Sequence, residues 1–220
     1  KQLLEFLEGR DNQAGIVYCL SQKLTEQCAE FLQSEGFNAY PFHAGLDSQV
    51  KIDTQDKFMT EDNVVVCATI AFGMGIDKAD VRYVAHISLP GSMENFYQEI
   101  GRAGRDGLES DTLMMFGSQD LFQRRKQIFD SDASDAWKLK EGKRLESLMA
   151  YCDSAICRRQ TLLAYFEETC EPCGKCDNCL NPPQMIDGTE YAQMVLSAIY
   201  RTGQYFGSGH IVDVLRGVDS

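Results

Sequence analysis

Six of the nine cysteines fall between Cys152 and Cys179, and three of them recur at intervals of three: Cys173, Cys176 and Cys179. Two overlapping CxxC loops of this kind turn backbone N–H groups toward the sulfurs. Gly174 and Asn178 suit the tight turns that such loops need. A Zn²⁺ ion takes four tetrahedral ligands and thiolates favour it. The fourth thiol expected here is Cys157, sixteen residues before Cys173 at the start of the helical stretch CRRQTLLAYF. Cys152 and Cys170 remain open as replacements for it. Four protein thiolates leave no open coordination position, so one structural Zn²⁺ per chain is expected. The competing reading is a redox CxxC pair, which requires exposed thiols of low pKa.

The remaining composition narrows the setting. An odd cysteine count with no leader-like segment at the start fits a reducing compartment better than a disulfide framework. No apolar run approaches 18 residues, so no membrane span and no membrane partner are expected. The chain starts with Lys1, which suggests a fragment or a processed product. Its net charge is −12. Phosphate neutralisation needs clustered Lys and Arg, so the average charge opposes nucleic-acid binding, and any such binding must rest on local patches.

Up to about Phe116 the sequence alternates strand-like and helix-like stretches. Ala14–Cys19, Asn38–Phe42, Asn63–Ala68, Val81–Ile87 and Thr112–Phe116 read as strands. Leu24–Gln33, Val50–Phe58 and Ser92–Arg102 read as helices, the last with Ser92 as N-cap. Such alternation implies an α/β fold, a parallel sheet with helices on both faces. From Ser118 to Phe166 the character is helical, with a polar interruption at Asp130–Asp135. Pro182 and Pro183 mark a boundary, and helices are expected again over Glu190–Arg201 and Ile211–Arg216. Three parts result: residues 1–117, 118–183 and 184–220.

Two stretches carry chemistry. In QEIGRAGRDG, Gln98 to Gly107, a helix would bring Gln98, Arg102 and Arg105 to one face, within about 60° of each other. Paired guanidinium groups suit a triphosphate, where they stabilise charge spreading over transferring phosphoryl oxygens. The plainer reading is a solvated helix end capped by Gly107. The second stretch, ATIAFGMGID from Ala68 to Asp77, follows a strand. A loop there lies at the carboxyl edge of a parallel sheet, where ligands bind. Gly73 and Gly75 would let backbone approach a phosphate or nucleotide, and Asp77 can bind a ribose hydroxyl.

Taken together these stretches resemble the second RecA-like lobe of superfamily 2 helicases, and specifically the RecQ family. ATIAFGMGIDKADVR resembles its motif V, QEIGRAGRDG its motif VI and IVYCLSQ its motif IV. HAGL, from His43, is also family-like. CRRQTLLAYF followed by EPCGKCDNC resembles its zinc-binding subdomain, and Gly188–Gly217 the opening of its winged helix. The resemblance covers essentially the whole chain. It implies a RecA-like lobe over 1–117, a helical zinc-binding subdomain over 118–183 and a truncated winged helix over 184–220. It implies ATP-driven unwinding of DNA with 3′→5′ polarity in replication, recombination and repair. Arg105 would be the arginine finger, Arg102 its companion at the phosphates, and Gln98 the coupling residue. Asp77 would lie near the ribose or the lobe interface. Thr69, with Ser21, would contact the DNA backbone. Cys157, Cys173, Cys176 and Cys179 match the zinc ligands. The implied partners are single-stranded, junction or duplex DNA and a single-stranded-DNA-binding protein. The implied location is the bacterial cytoplasm at the nucleoid, or the nucleus in a eukaryote.

Departures from the pattern are local. Gln22 stands where Arg is frequent, and Ala79 where Pro is common. The residues contain no GxxxxGK[ST] phosphate loop and no DExH-type Mg²⁺ sequence. ATP and Mg²⁺ are therefore expected only together with a separate P-loop lobe, and this chain alone is expected not to hydrolyse ATP. The alternative to a helicase piece is a non-enzymatic zinc-containing module for docking DNA or protein. Such a module has no need of Gln98, Arg102 and Arg105 beside a glycine loop.

Overall fold

Five short stretches become strands: β1 Gly15–Tyr18, β2 Asn38–Phe42, β3 Val64–Ala68, β4 Tyr83–His86 and β5 Asp111–Met114. The computed structural model describes residues 1–69, 72 and 77–218. They divide into two compact units, Lys1–Cys173 and Gly174–Ser220.

In the first unit the strands form one sheet in the order β2-β3-β1-β4-β5, and every neighbouring pair is parallel. Val17 stands opposite Cys67 and Ala85. Because side chains alternate across a strand, Val17, Cys67 and Ala85 face one side with Leu32 from helix α2 (Gln22–Ser34). Ile16, Val66 and Val84 face the other with Phe58 from helix α3 (Ser48–Thr60). β1, β3 and β4 are buried along their full length, as the continuous apolar runs require for a parallel sheet covered on both faces. The expected α/β architecture is therefore present. One helix was not foreseen: α1, Gln2–Leu7, buries Leu3 and Leu7 against the first face. Six residues are too few to establish a helical period.

Helix α2 shows how the sequence sets these elements. Ser21 Oγ accepts the Leu24 N–H at 3.2 Å and caps the first turn. Thr25, Cys28, Ala29 and Leu32 are its buried residues, an i, i+3, i+4, i+7 stripe. After β5 the chain turns helical, through α5 Ser118–Phe129, α6 Asp135–Asp153 and α7 Arg158–Tyr165. Ser134 Oγ caps α6 by accepting the Trp137 N–H at 3.3 Å. Leu148 and Tyr151 of α6 and Leu162 of α7 bury themselves with Phe96 of helix α4 (Met93–Ile100) in a third apolar cluster. That cluster fixes the helical segment onto the α4 side of the sheet.

The second unit holds α8 Asp177–Leu180, α9 Thr189–Arg201 and α10 Ser208–Arg216. Among its buried residues are Ala198 of α9 and Ile211 of α10. α10 stops at Gly217, whose φ of 69° is the left-handed cap that glycine adopts without strain.

Candidate functional site

The QEIGRAGRDG stretch begins in α4 and ends in a turn. Ser92 Oγ accepts the Asn95 N–H and starts the helix as expected. Met93 and Phe96 turn inward. The helix stops at Ile100, with Gly101 as its C-cap. The expected extension to Arg102 is therefore incorrect, and so is the single helix face for Gln98, Arg102 and Arg105. Both arginines lie in the turn instead. Gly104 is the reason: its φ is +68°, and a Cβ there would lie 2.8 Å from Ser110 Oγ and 3.0 Å from Leu108 O. Only glycine takes both that conformation and that closeness without strain.

The turn is bonded to the segment that leads into β4. The Gly104 N–H donates to Val81 O at 2.9 Å and the Asp106 N–H to Ala79 O at 3.2 Å. Arg82 holds both sides. Its guanidinium donates to Asp80 O at 3.0 Å, to Glu109 O at 3.2 Å and to Asp106 Oδ2 at 2.6 Å. The hydrogen bond from Arg82 holds the Asp106 carboxyl below its usual range. Arg105 then reaches back across the same place. Its Nη1 lies 2.6 Å from Asp77 Oδ1 and its Nε donates to Gly101 O at 3.3 Å. The two stretches that carried chemistry in the sequence thus meet through Asp77 and Arg105.

A buried polar cluster underlies the turn. His86, at the end of β4, donates from Nε2 to Glu99 Oε2 at 2.7 Å. Both are buried, His86 to 1% exposure and Glu99 to 6%. Tyr18 stacks on the His86 ring at 5.1 Å between centroids, and its hydroxyl donates to Phe72 O at 3.3 Å. Burial pushes the Tyr18 hydroxyl up to about 12; Arg102, whose side chain hydrogen-bonds it, pulls the other way, and the Glu99 carboxylate adds to the rise. Sequence reasoning missed Arg82, His86 and Glu99. The available signal was a histidine inside the strand run VRYVAHI and an acid three residues after Phe96 on an inward helix face.

The other expected residues are more scattered. Gln98 is exposed on α4. Thr69 follows β3, where its N–H donates to Phe42 O and its carbonyl accepts from Phe72. Ser21 is occupied as the α2 cap. His43 is buried beside Glu26, with Nε2 3.1 Å from the carboxylate, and its carbonyl accepts the Leu46 N–H. Gly73 and Gly75 lie outside the described residues.

Cys157, Cys173, Cys176 and Cys179 come together with all four sulfurs within 4.8 Å of one another. A tetrahedral ion with Zn–S bonds of about 2.3 Å needs sulfurs about 3.8 Å apart, so the cluster has the right size as well as the right donors. The Cys173 N–H donates to Cys157 Sγ at 3.2 Å, the kind of bond that steadies a thiolate. Cys157 is the N-cap of α7 and Cys176 the N-cap of α8, so two of the thiols sit at helix starts. Cys152 and Cys170 are not in the group. Burial raises the Cys152 thiol to about 11, which disfavours the thiolate a metal needs.

Three family models match successive stretches of the chain. A model of the helicase conserved C-terminal domain matches residues 1–107, a RecQ zinc-binding model residues 118–180 and an RQC domain model residues 182–220. The chain belongs to the RecQ family. It is 41% identical over 219 residues to the ATP-dependent DNA helicase RecQ of Haemophilus influenzae, covering 99% of this chain and 35% of that protein. Identity to the RecQ helicase of Bacillus subtilis is 38%, over 97% of this chain and 36% of that protein. The RecQ-like DNA helicase BLM of Xenopus laevis is 44% identical over 77% of this chain, which is 13% of its own length. The chain thus spans about a third of its bacterial RecQ relatives (35% and 36%). Among solved structures, the E. coli DEAD-box protein SrmB, bound to regulator of ribonuclease activity A, is 23% identical. It matches at a TM-score of 0.46 over 52% of this chain and 67% of that one. Among the described residues, no helix is long and apolar enough to cross a membrane.

Proposed function

We propose that this RecQ chain supplies the second motor lobe and the structural zinc module of an ATP-dependent 3′→5′ DNA helicase. The observation that carries this reading is the meeting of Arg105 with Asp77 at 2.6 Å. It puts Asp77 beside the arginine turn, as a nucleotide site built on this lobe requires. In this reading residues 1–117 form the lobe, 118–183 the zinc subdomain and 184–220 the start of a winged helix.

Arg105 stabilises the charge of the transferring phosphoryl group, and Arg102 stands beside it at the phosphates. Gln98 couples the nucleotide to DNA, Thr69 and Ser21 contact the DNA backbone, and Gly73, Gly75 and Asp77 line the nucleotide. Cys157, Cys173, Cys176 and Cys179 hold one Zn²⁺, whose role is structural because four thiolates close its coordination. ATP and Mg²⁺ enter only with a P-loop lobe, since phosphoryl transfer needs a phosphate cradle and a metal site as well as an arginine. The substrate is DNA with a single-stranded or branched portion, in replication, recombination and repair. A single-stranded-DNA-binding protein as partner, and a place at the bacterial nucleoid or in the eukaryotic nucleus, rest on the family resemblance alone.

The test is nucleotide turnover by the zinc-loaded chain, alone and mixed with a RecQ P-loop lobe. The expected result is none alone, and DNA-stimulated turnover in the mixture that Arg105→Ala removes. Turnover by the chain alone, lost on the same substitution, would refute the division of labour.

A further inference from the structure

Helix α5 carries a stripe of four side chains that none of the assigned sites uses. Phe122, Arg125, Lys126 and Phe129 are spaced i, i+3, i+4, i+7 and share one side of the helix, over about 100° of its circumference. All four are exposed. Phe122 is 66% exposed and Phe129 56%, too open for core residues. A different side of α5 does the packing: Ile128 is buried and Leu121 rests on the apolar cluster around Phe96 and Leu148. The stripe is therefore not the anchoring face of the helix. The Phe129 ring lies near Gly142 of α6, where a Cβ would be 3.7 Å from Cζ, so α6 steadies the ring without covering it.

The charges on this stripe run against the rest of the molecule. The chain has 33 acidic and 21 basic side chains. Even so, among the described residues the side chains of Arg125 and Lys126 are in no ion pair or hydrogen bond, and the stripe holds no acid. Exposed aromatic rings beside unpaired cations present what a single nucleic-acid strand needs: a π-face for an unstacked base and a positive charge for its phosphate. Phe122 and Phe129 are seven residues apart, about 10.5 Å along the axis at ~1.5 Å per residue. That spans about three nucleotides at ~3.4 Å each. A duplex keeps its bases stacked on each other and offers these rings nothing.

We propose that the α5 stripe of Phe122, Arg125, Lys126 and Phe129 binds single-stranded DNA, with the rings stacking on bases and the cations meeting the phosphates between them. The choice of DNA rests on the helicase reading above.

The test is fluorescence anisotropy of a labelled oligo-dT against the full zinc-loaded chain over a series of salt concentrations. The variants are Phe122→Ala/Phe129→Ala and Arg125→Ala/Lys126→Ala, with Lys23→Ala on α2 as control. Removal of each stacked ring is expected to weaken binding roughly 5- to 150-fold. Removal of both cations is expected to flatten the slope of log affinity against log salt by about 1.4. Photocrosslinking of 4-thiothymidine in the oligonucleotide, mapped by mass spectrometry on the unmutated chain, gives a readout independent of variant folding. Adducts on α5 support the proposal. Wild-type binding with unchanged stripe variants and adducts elsewhere would overturn the stripe but leave the DNA reading standing. No oligonucleotide binding even at low salt would overturn the stripe and count against DNA binding by this chain. Stripe variants that change only the chain's sedimentation would mark the face as a protein interface and also overturn it.

Discussion

Asp77 Oδ1 lies 2.6 Å from Arg105 Nη1, yet the Asp77 side chain is 85% exposed. Exposed ion pairs contribute about 0–1 kcal/mol, so this contact does little for the fold. Asp77→Asn should leave the urea midpoint almost unchanged. In contrast, Arg105→Ala in the mixture with a P-loop lobe should lower kcat by about 10³- to 10⁵-fold. Steady-state turnover beside an unfolding curve checks both. A large stability loss in Asp77→Asn would show that the pair is structural.

The Arg82 clamp predicts a local effect. Arg82→Ala removes the bonds to Asp80, Asp106 and Glu109 and should loosen the arginine turn. Hydrogen exchange of the Gly104 and Asp106 amides should speed up while the Val66 amide stays protected. Arg82→Lys keeps the charge but loses the planar fork, so it should restore only part of the protection.

Acid should act through the same clamp. The Arg82 hydrogen bond holds the folded Asp106 carboxyl below its ordinary value of 3.8. The sign follows: the unfolded chain takes up this proton first. The contribution is fully present above that ordinary value and is lost as the pH falls through the folded value. Unfolding curves for wild type and Asp106→Asn should run parallel at neutral pH and converge at the acid end. Curves that stay parallel throughout would show that Asp106 gains nothing from Arg82.

Glu99 and His86 form a buried pair that is costly to break. Glu99→Ala leaves the His86 Nε2–H without its acceptor in a buried site, where an unmet polar group costs about 1–3 kcal/mol. Glu99→Gln keeps an acceptor and should cost less. Equilibrium urea unfolding measures the difference; equal losses would show that the carboxamide does not replace the bond.

Metal content separates the cysteines. Wild-type chain should carry about one zinc, as should Cys152→Ser, whereas Cys176→Ser should lose it. Elemental analysis of the three proteins reads this directly. Zinc lost from Cys152→Ser while Cys157→Ser retains it would exchange the two ligands.

Elements whose signal is local were legible in the residues alone. VVVCA at β3 is an uninterrupted buried run, Ser92 announces the helix that it caps, and the thiol spacing of Cys173, Cys176 and Cys179 marks a four-sulfur group, whose fourth member the structure gives as Cys157. Each depends on neighbours within a few residues, or on one chemical preference that few residue types satisfy. Features that depend on distant backbone emerged only with folding. The helix was expected to reach Arg102, but Gly104 pairs with Val81, and Ser110 crowds the place where a side chain would stand. Those contacts close the helix at Ile100 and send both arginines into a turn. Arg82 and Asp106 are 24 residues apart and His86 and Glu99 are 13 apart. Nothing in residue spacing announces such pairs, because they exist only once β4 and the segment before it lie beside α4 and its turn.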